Sequence, residues 1–138
     1  MNYSKTNATG ESVQVEQSLV KVVSTTSALE VNDSGSIIAV ATDAIVVTLP
    51  ATKAGVEYTI INTGANANNI ITISPQAADG IAGTITLAGT VVVRAGTVNV
   101  DLVNTKASSK VGDSVTIIGT GVAGVSAWVI KGSTGIWA

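Results

Sequence analysis

The chain has no histidine, no cysteine and no phenylalanine. Histidine is the side chain that most readily exchanges protons near neutral pH, and histidine and cysteine are the usual transition-metal ligands. Ser-His-Asp and Cys-His catalysis, zinc sites and disulfides are therefore excluded by composition alone. Charge is scarce as well, since seven basic and nine acidic residues make up 12% of the 138 residues, about half the share of an ordinary soluble domain. Those charges are unevenly spread: residues 58–93 contain only Asp79, and residues 114–138 only Lys131. Two windows are thus nearly neutral. They either form central strands with a Thr, Asn and Ser outer face, or lie against other subunits.

What the chain has in abundance is β-branched side chains, with 53 Val, Ile or Thr residues. These are stiff at χ1 and suit a pleated surface, which makes the chain all-β. Its length fits a single domain. The core must be assembled from small aliphatics, because the only aromatics are Tyr3, Tyr58, Trp128 and Trp137. A net charge of −2 without a basic cluster argues against nucleic acid as a partner. The apolar runs are far shorter than the roughly 20 residues of a membrane-spanning helix, so no membrane partner is expected. Residues 1–10 lack the apolar stretch of a signal peptide, which leads to the expectation of a chain kept in a cytoplasm or packaged from it.

Residues 1–12 show no apolar period and are expected to form a flexible arm. Residues 13–138 are expected to form one antiparallel β-sandwich, jelly-roll-like or barrel-like. Val13 and Val15 alternate with Gln14 and Glu16 at its start. Further strands are expected at 37–41, 45–49, 56–62, 69–74, 84–87, 91–94, 97–103, 114–118 and 125–131, with a short one at 136–137. Alternation is clearest at 97–103, where Val98, Val100 and Leu102 should share a buried face. Breakers fall between these segments, and residues 76–79 have room for one helical turn.

Few residues invite chemistry. Paired-carboxylate hydrolysis needs two acids facing one sugar, and none of the nine acids falls in a motif; Asp33, Asp79 and Asp113 adjoin Gly or Ser and read as turn formers. Oxygen ligands for calcium exist at Asn32, Asp33 and Ser34 or at Asn66, Asn68 and Asn69, without the acidic spacing of a calcium loop. No catalytic residue, cofactor or metal is expected. Gly119, Gly121 and Gly124 match G-x-G-x-x-G, but a strand follows where a dinucleotide loop must open a helix, so the glycines read as a hairpin loop. Trp128 and Trp137 either fill and close the core or anchor an interface.

Residues 48–60 (TLPATKAGVEYTI), 69–75 (NIITISP) and 79–81 (DGI), with the closing segments GDSVTII, AWVI and GIW at 112–118, 127–130 and 135–137, resemble a pattern met in small virion proteins of tailed phages. The resemblance implies a β-sandwich without catalysis that decorates or cements the outer surface of a capsid, its partners being the major capsid protein and copies of itself, with a homotrimer at three-fold positions expected. The alternative it leaves open is a fibre, tail or receptor-contacting module. Absence of heptads and of a long repeat favours decoration over a fibre. Contact residues expected on this reading are Tyr3 and Lys5 in the arm, Val13 and Val15 in the first strand, and Trp128 and Trp137.

Overall fold

Stiff side chains hold the backbone extended, and alternation then decides which side of each strand is buried. A computed structural model describes residues 2–6, 12–16, 19–87 and 90–138, and β7 (Glu57–Asn62) and β12 (Ser114–Gly119) show the rule plainly. Tyr58, Ile60, Val115 and Ile117 are fully buried, while the residues between them face outward.

The strands of the described residues form three sheets. A seven-stranded sheet runs in the order β10 (Thr90–Arg94), β9 (Asp79–Leu87), β13 (Gly124–Thr134), β12, β7, β5 (Ile37–Val40) and β3 (Val20–Val23). A four-stranded sheet has the order β11 (Leu102–Asn104), β8 (Ile71–Ser74), β6 (Ile45–Thr48) and β4 (Ser27–Ala28). The third is a ribbon of β1 (Asn2–Thr6) and β2 (Ser12–Glu16), which shares no ladder with the other two. Residues 2–6, which lie in the expected arm, pair with residues 12–16.

The two larger sheets are mixed, not purely antiparallel. β3, β5 and β7 pair in parallel, as do β4, β6 and β8, and β13 pairs in parallel with β9. From β3 to β8 successive strands alternate between the two sheets. A strand that returns to a sheet after a visit to the other runs in its earlier direction, which is the parallel arrangement. Turn residues mark where the chain reverses but not which sheet receives it, and the antiparallel expectation erred on that point.

One apolar cluster draws on both sheets: Ile38, Val40, Tyr58, Ile60, Ile117 and Trp128 from the larger, Ile45, Val47, Ile71, Ile73 and Leu102 from the smaller. Each such aliphatic contributes about 1.5–3 kcal/mol through burial. The Trp128 and Tyr58 rings lie 5.7 Å apart at 32°, within the range of favourable aromatic pairs.

The segment with the clearest alternation is not a strand over most of its length. Only Leu102–Asn104 pairs; Val98 and Val100 are exposed. Arg94 removes the carbonyls that a ladder would need, its Nη2 donating to the oxygens of Asp101 at 2.7 Å and Val100 at 3.3 Å. Asn99 has a φ of 58°, outside the extended region. At the opposite end, residues 136–137 form no strand, though Ala138 exchanges backbone hydrogen bonds with Val103 at 2.7 and 3.0 Å. The turn expected at 76–79 is closed by Asp79 N–H donating to Gln76 O at 2.9 Å.

Candidate interaction surface

Five of the acids, Asp33, Asp43, Glu57, Asp79 and Asp113, are committed to the fold. Asp79 is 2% exposed, and its Oδ2 accepts the Thr52 N–H at 2.8 Å, tying the loop after β6 to the start of β9. Asp113 is buried too, its Oδ2 accepting from Lys110 N–H and Asn104 Nδ2, each at 2.9 Å. Asp33 accepts from Glu30 N–H at 2.8 Å and pairs with Lys21 at 3.4 Å. Glu57 pairs with Lys131 at 2.8 Å. Asp43 accepts from Ala44 and Ile70 N–H groups and pairs with Lys106; the Lys106 hydrogen bond, followed by that of Ile70, holds its carboxyl below the ordinary carboxylate value.

Both calcium candidates spend oxygens on the fold: in the first, Asp33 accepts the Glu30 N–H and Ser34 Oγ accepts the Glu57 N–H at 3.1 Å. Asn66 Oδ1 accepts Val111 N–H at 3.0 Å, and Asn69 Oδ1 accepts from Asn68 Nδ2 at 2.9 Å. Among the described residues no group of three or more Asp, Glu, His or Cys is placed to hold a metal ion. Gly119 ends β12 and Gly124 opens the antiparallel β13, so G-x-G-x-x-G is a hairpin connection. A depression of about 440 Å³ over it is lined by Thr120, Val122, Ala123, Gly124, Val125 and Ser126, none of them titratable.

Burial, and secondarily the Asp33 carboxyl, pushes the Tyr58 phenol up to about 12. Its hydroxyl donates to Glu30 O at 2.6 Å, a bond that favours the neutral form. Because the folded value lies above the unfolded value of about 10, this contribution is complete below pH 10 and is lost as the pH rises through 12. A Tyr3→Phe variant, which leaves Tyr58 as the sole phenol, should show ultraviolet phenolate absorbance rising near pH 12 together with loss of structure. A simple midpoint near 10 with the fold intact would place that ring in solvent.

Of the six expected contact residues, the structure buries two. Trp128 is 0% and Trp137 2% exposed, so both belong to the core, and neither offers surface to a partner in the folded chain. The other four lie in the terminal ribbon, where Tyr3 is opposite Val15 and Lys5 opposite Val13. Directly opposed and alternate positions share a face, so the register gathers these four positions on one side of the ribbon; their side chains lie outside the described residues.

The surface that sequence reading missed is at the sheet edges. In β10, Val91, Val92 and Val93 are all exposed, Val93 by 75%. At the opposite edge, in β3, Val20 and Val22 are exposed, Val22 also by 75%. The run TVVVR reads as an ordinary strand, and only its place at the end of the strand order makes its valines surface. Arg94 ends that run with its guanidinium turned inward onto Ile81 O at 2.9 Å, and burial lowers its pKa.

The chain matches no known family model and no curated protein. The site is therefore read from its own geometry: polar groups spent on the fold, and aliphatic groups presented to solvent at both edges of the larger sheet.

Proposed function

We propose that this chain is a non-enzymatic capsid decoration protein of a tailed phage, in which the seven- and four-stranded sheets pack face to face as a β-sandwich on the outer surface of the shell. The observation that carries this reading is the combination of an undercharged surface with valines exposed at both sheet edges. Exposed apolar area on a soluble chain suits a permanent contact, and with so few charges there is little repulsion to oppose dense packing of copies. The phage-like segments quoted above supply the setting.

The mechanism is mechanical. Each copy bridges neighbouring subunits of the major capsid protein, and the area buried in many such contacts adds to the resistance of the shell against internal pressure. The terminal ribbon is the part offered to the shell, since it shares no ladder with the other sheets and its register collects Tyr3, Lys5, Val13 and Val15 on one face.

The test is to add the purified chain to expanded capsids that lack it and to measure co-sedimentation and capsid melting. Saturable binding with a raised melting temperature is expected, and removal of residues 1–18 should abolish binding while leaving the thermal unfolding of the sandwich in place. Failure to bind expanded capsids would overturn the reading. Binding to host cells or glycans instead would favour a receptor-contacting module.

A further inference from the structure

A β-sheet edge exposes unpaired N–H and C=O groups, and proteins protect such edges with charge, shortness or cover. Among the described residues, three of the four edges of the two larger sheets are protected. β4 has only two residues. β11 is covered by Ala138, which bonds Val103 in both directions. β3 carries Lys21 at its second position, paired with Asp33. β10 has none of these devices: residues 80–93 contain no charge, and the Arg94 guanidinium is held off the edge by the carbonyls of Ile81, Val100 and Asp101.

We propose that the β10 edge is a self-association site, where two copies of this chain pair antiparallel through Thr90–Arg94 about a two-fold axis at Val92 and join their seven-stranded sheets into one. The register against β9 supports this. Thr90 faces Leu87, Val92 faces Ile85 and Arg94 faces Gly83. A connection of two residues makes the closing pair, Leu87 and Thr90, a hydrogen-bonded one, and alternation extends that status to the pairs of Val92 and Arg94. The N–H and C=O groups of Val91 and Val93 therefore point away from β9, into the open edge.

About an axis at Val92, Val91 stands opposite Val93 of the partner subunit, and each such pair exchanges two hydrogen bonds between groups that already point outward. Val92 meets Val92 of the partner subunit in the closer, non-hydrogen-bonded arrangement, with Cα atoms about 4.5 Å apart. The cross-strand pairs are then valine on valine, flanked by Thr90 opposite Arg94 of the partner subunit, and no like charges meet. An edge strand that reads the same in both directions in its apolar and hydrogen-bonding pattern fits a second copy of itself, the isologous contact of a two-fold dimer. This inference needs no capsid and stands apart from the function proposed above; a trimer, as expected from the sequence, would have to use another surface.

Sedimentation equilibrium on the full chain should show a concentration-dependent monomer–dimer equilibrium. Val92→Lys and Val92→Glu each place like charges directly across the axis and should each weaken dimerisation at least tenfold, whereas an equimolar mixture of the two should restore it. Because the chain has no cysteine, Val92→Cys introduces a single thiol; mild oxidation should yield a disulfide-linked dimer, since the Cα spacing suits that bond, and Val91→Cys should cross-link far more slowly. Val92 is 43% exposed, so these variants are expected to retain the parent melting transition, and the small cysteine keeps the test open if a charge at 92 impairs folding. A monomer at millimolar concentration, an oligomer indifferent to both charges, or equal cross-linking at 91 and 92 would each overturn the proposal.

Discussion

Trp128→Ala is expected to lower the unfolding free energy by about 3–5 kcal/mol, which for a chain of this size corresponds to a fall in melting temperature of about 10–20 °C. Trp128 is the largest fully buried side chain. It lies in β13 opposite Gly119 on one side and Ile81 on the other, so its ring stands over the middle of the larger sheet. The ring meets Tyr58 at 5.7 Å, and the surrounding Val and Ile residues are β-branched, with little rotamer freedom to move into the space left behind. One feature works in the opposite direction: Trp128 Nε1 is buried without a hydrogen-bond partner among the described residues, and an orphaned donor costs about 1–3 kcal/mol. Trp128→Phe removes that donor while retaining a ring, and should destabilise much less than alanine. Urea unfolding of the two variants measures both quantities; a loss below 1 kcal/mol for alanine would contradict a core position.

The residues that were legible in the sequence are those whose placement follows from alternation alone. Tyr58, Ile60, Val115 and Ile117 sit in strands with clean period-two patterns, and all are buried. The G-x-G-x-x-G segment was readable as a hairpin because strands flank it on both sides. Residues 97–101 defeated the same logic, since alternation states which side could be buried but not whether the carbonyls are free to form a ladder; Arg94, close by in sequence, takes two of them. The parallel pairings were hidden because sheet membership depends on which strand the chain meets after a turn, a long-range choice. The roles of Asp79 and Asp113 lie between these cases. Both were recognised as turn residues, but their burial depends on donors at Thr52 and Asn104, which the fold brings in from other segments. The open edge at β10 was not legible, because being last in a sheet is a property of the neighbours and not of the strand.

Asp113 gives the second large effect. Its side chain joins three parts of the chain: Oδ2 accepts the Lys110 N–H of its own turn and the Asn104 Nδ2 from β11, while that Nδ2 also donates to Ile136 O near the carboxyl terminus. Its backbone carbonyl accepts the Asn62 N–H at 2.8 Å, which fixes the entry of β12 beside the end of β7. Gly135 packs against the carboxyl so closely that a Cβ there would lie 2.1 Å from Oδ1, and its φ of +89° is one that glycine adopts freely. Asp113→Ala leaves the Lys110 N–H without its acceptor and removes one of the two acceptors of Asn104 Nδ2 in a site with little access to water. At about 1–3 kcal/mol for an unsatisfied buried donor, the total should be about 2–4 kcal/mol. Asp113→Asn retains one carbonyl oxygen of the same shape and should recover part of that loss. Hydrogen exchange distinguishes this local account from general destabilisation: the Lys110 amide should lose protection in the alanine variant well before the amides of β7 and β12 do, since only the former loses its direct partner. Uniform loss of protection across the larger sheet would show that Asp113 supports the sheet as a whole, not the turn and the carboxyl-terminal segment.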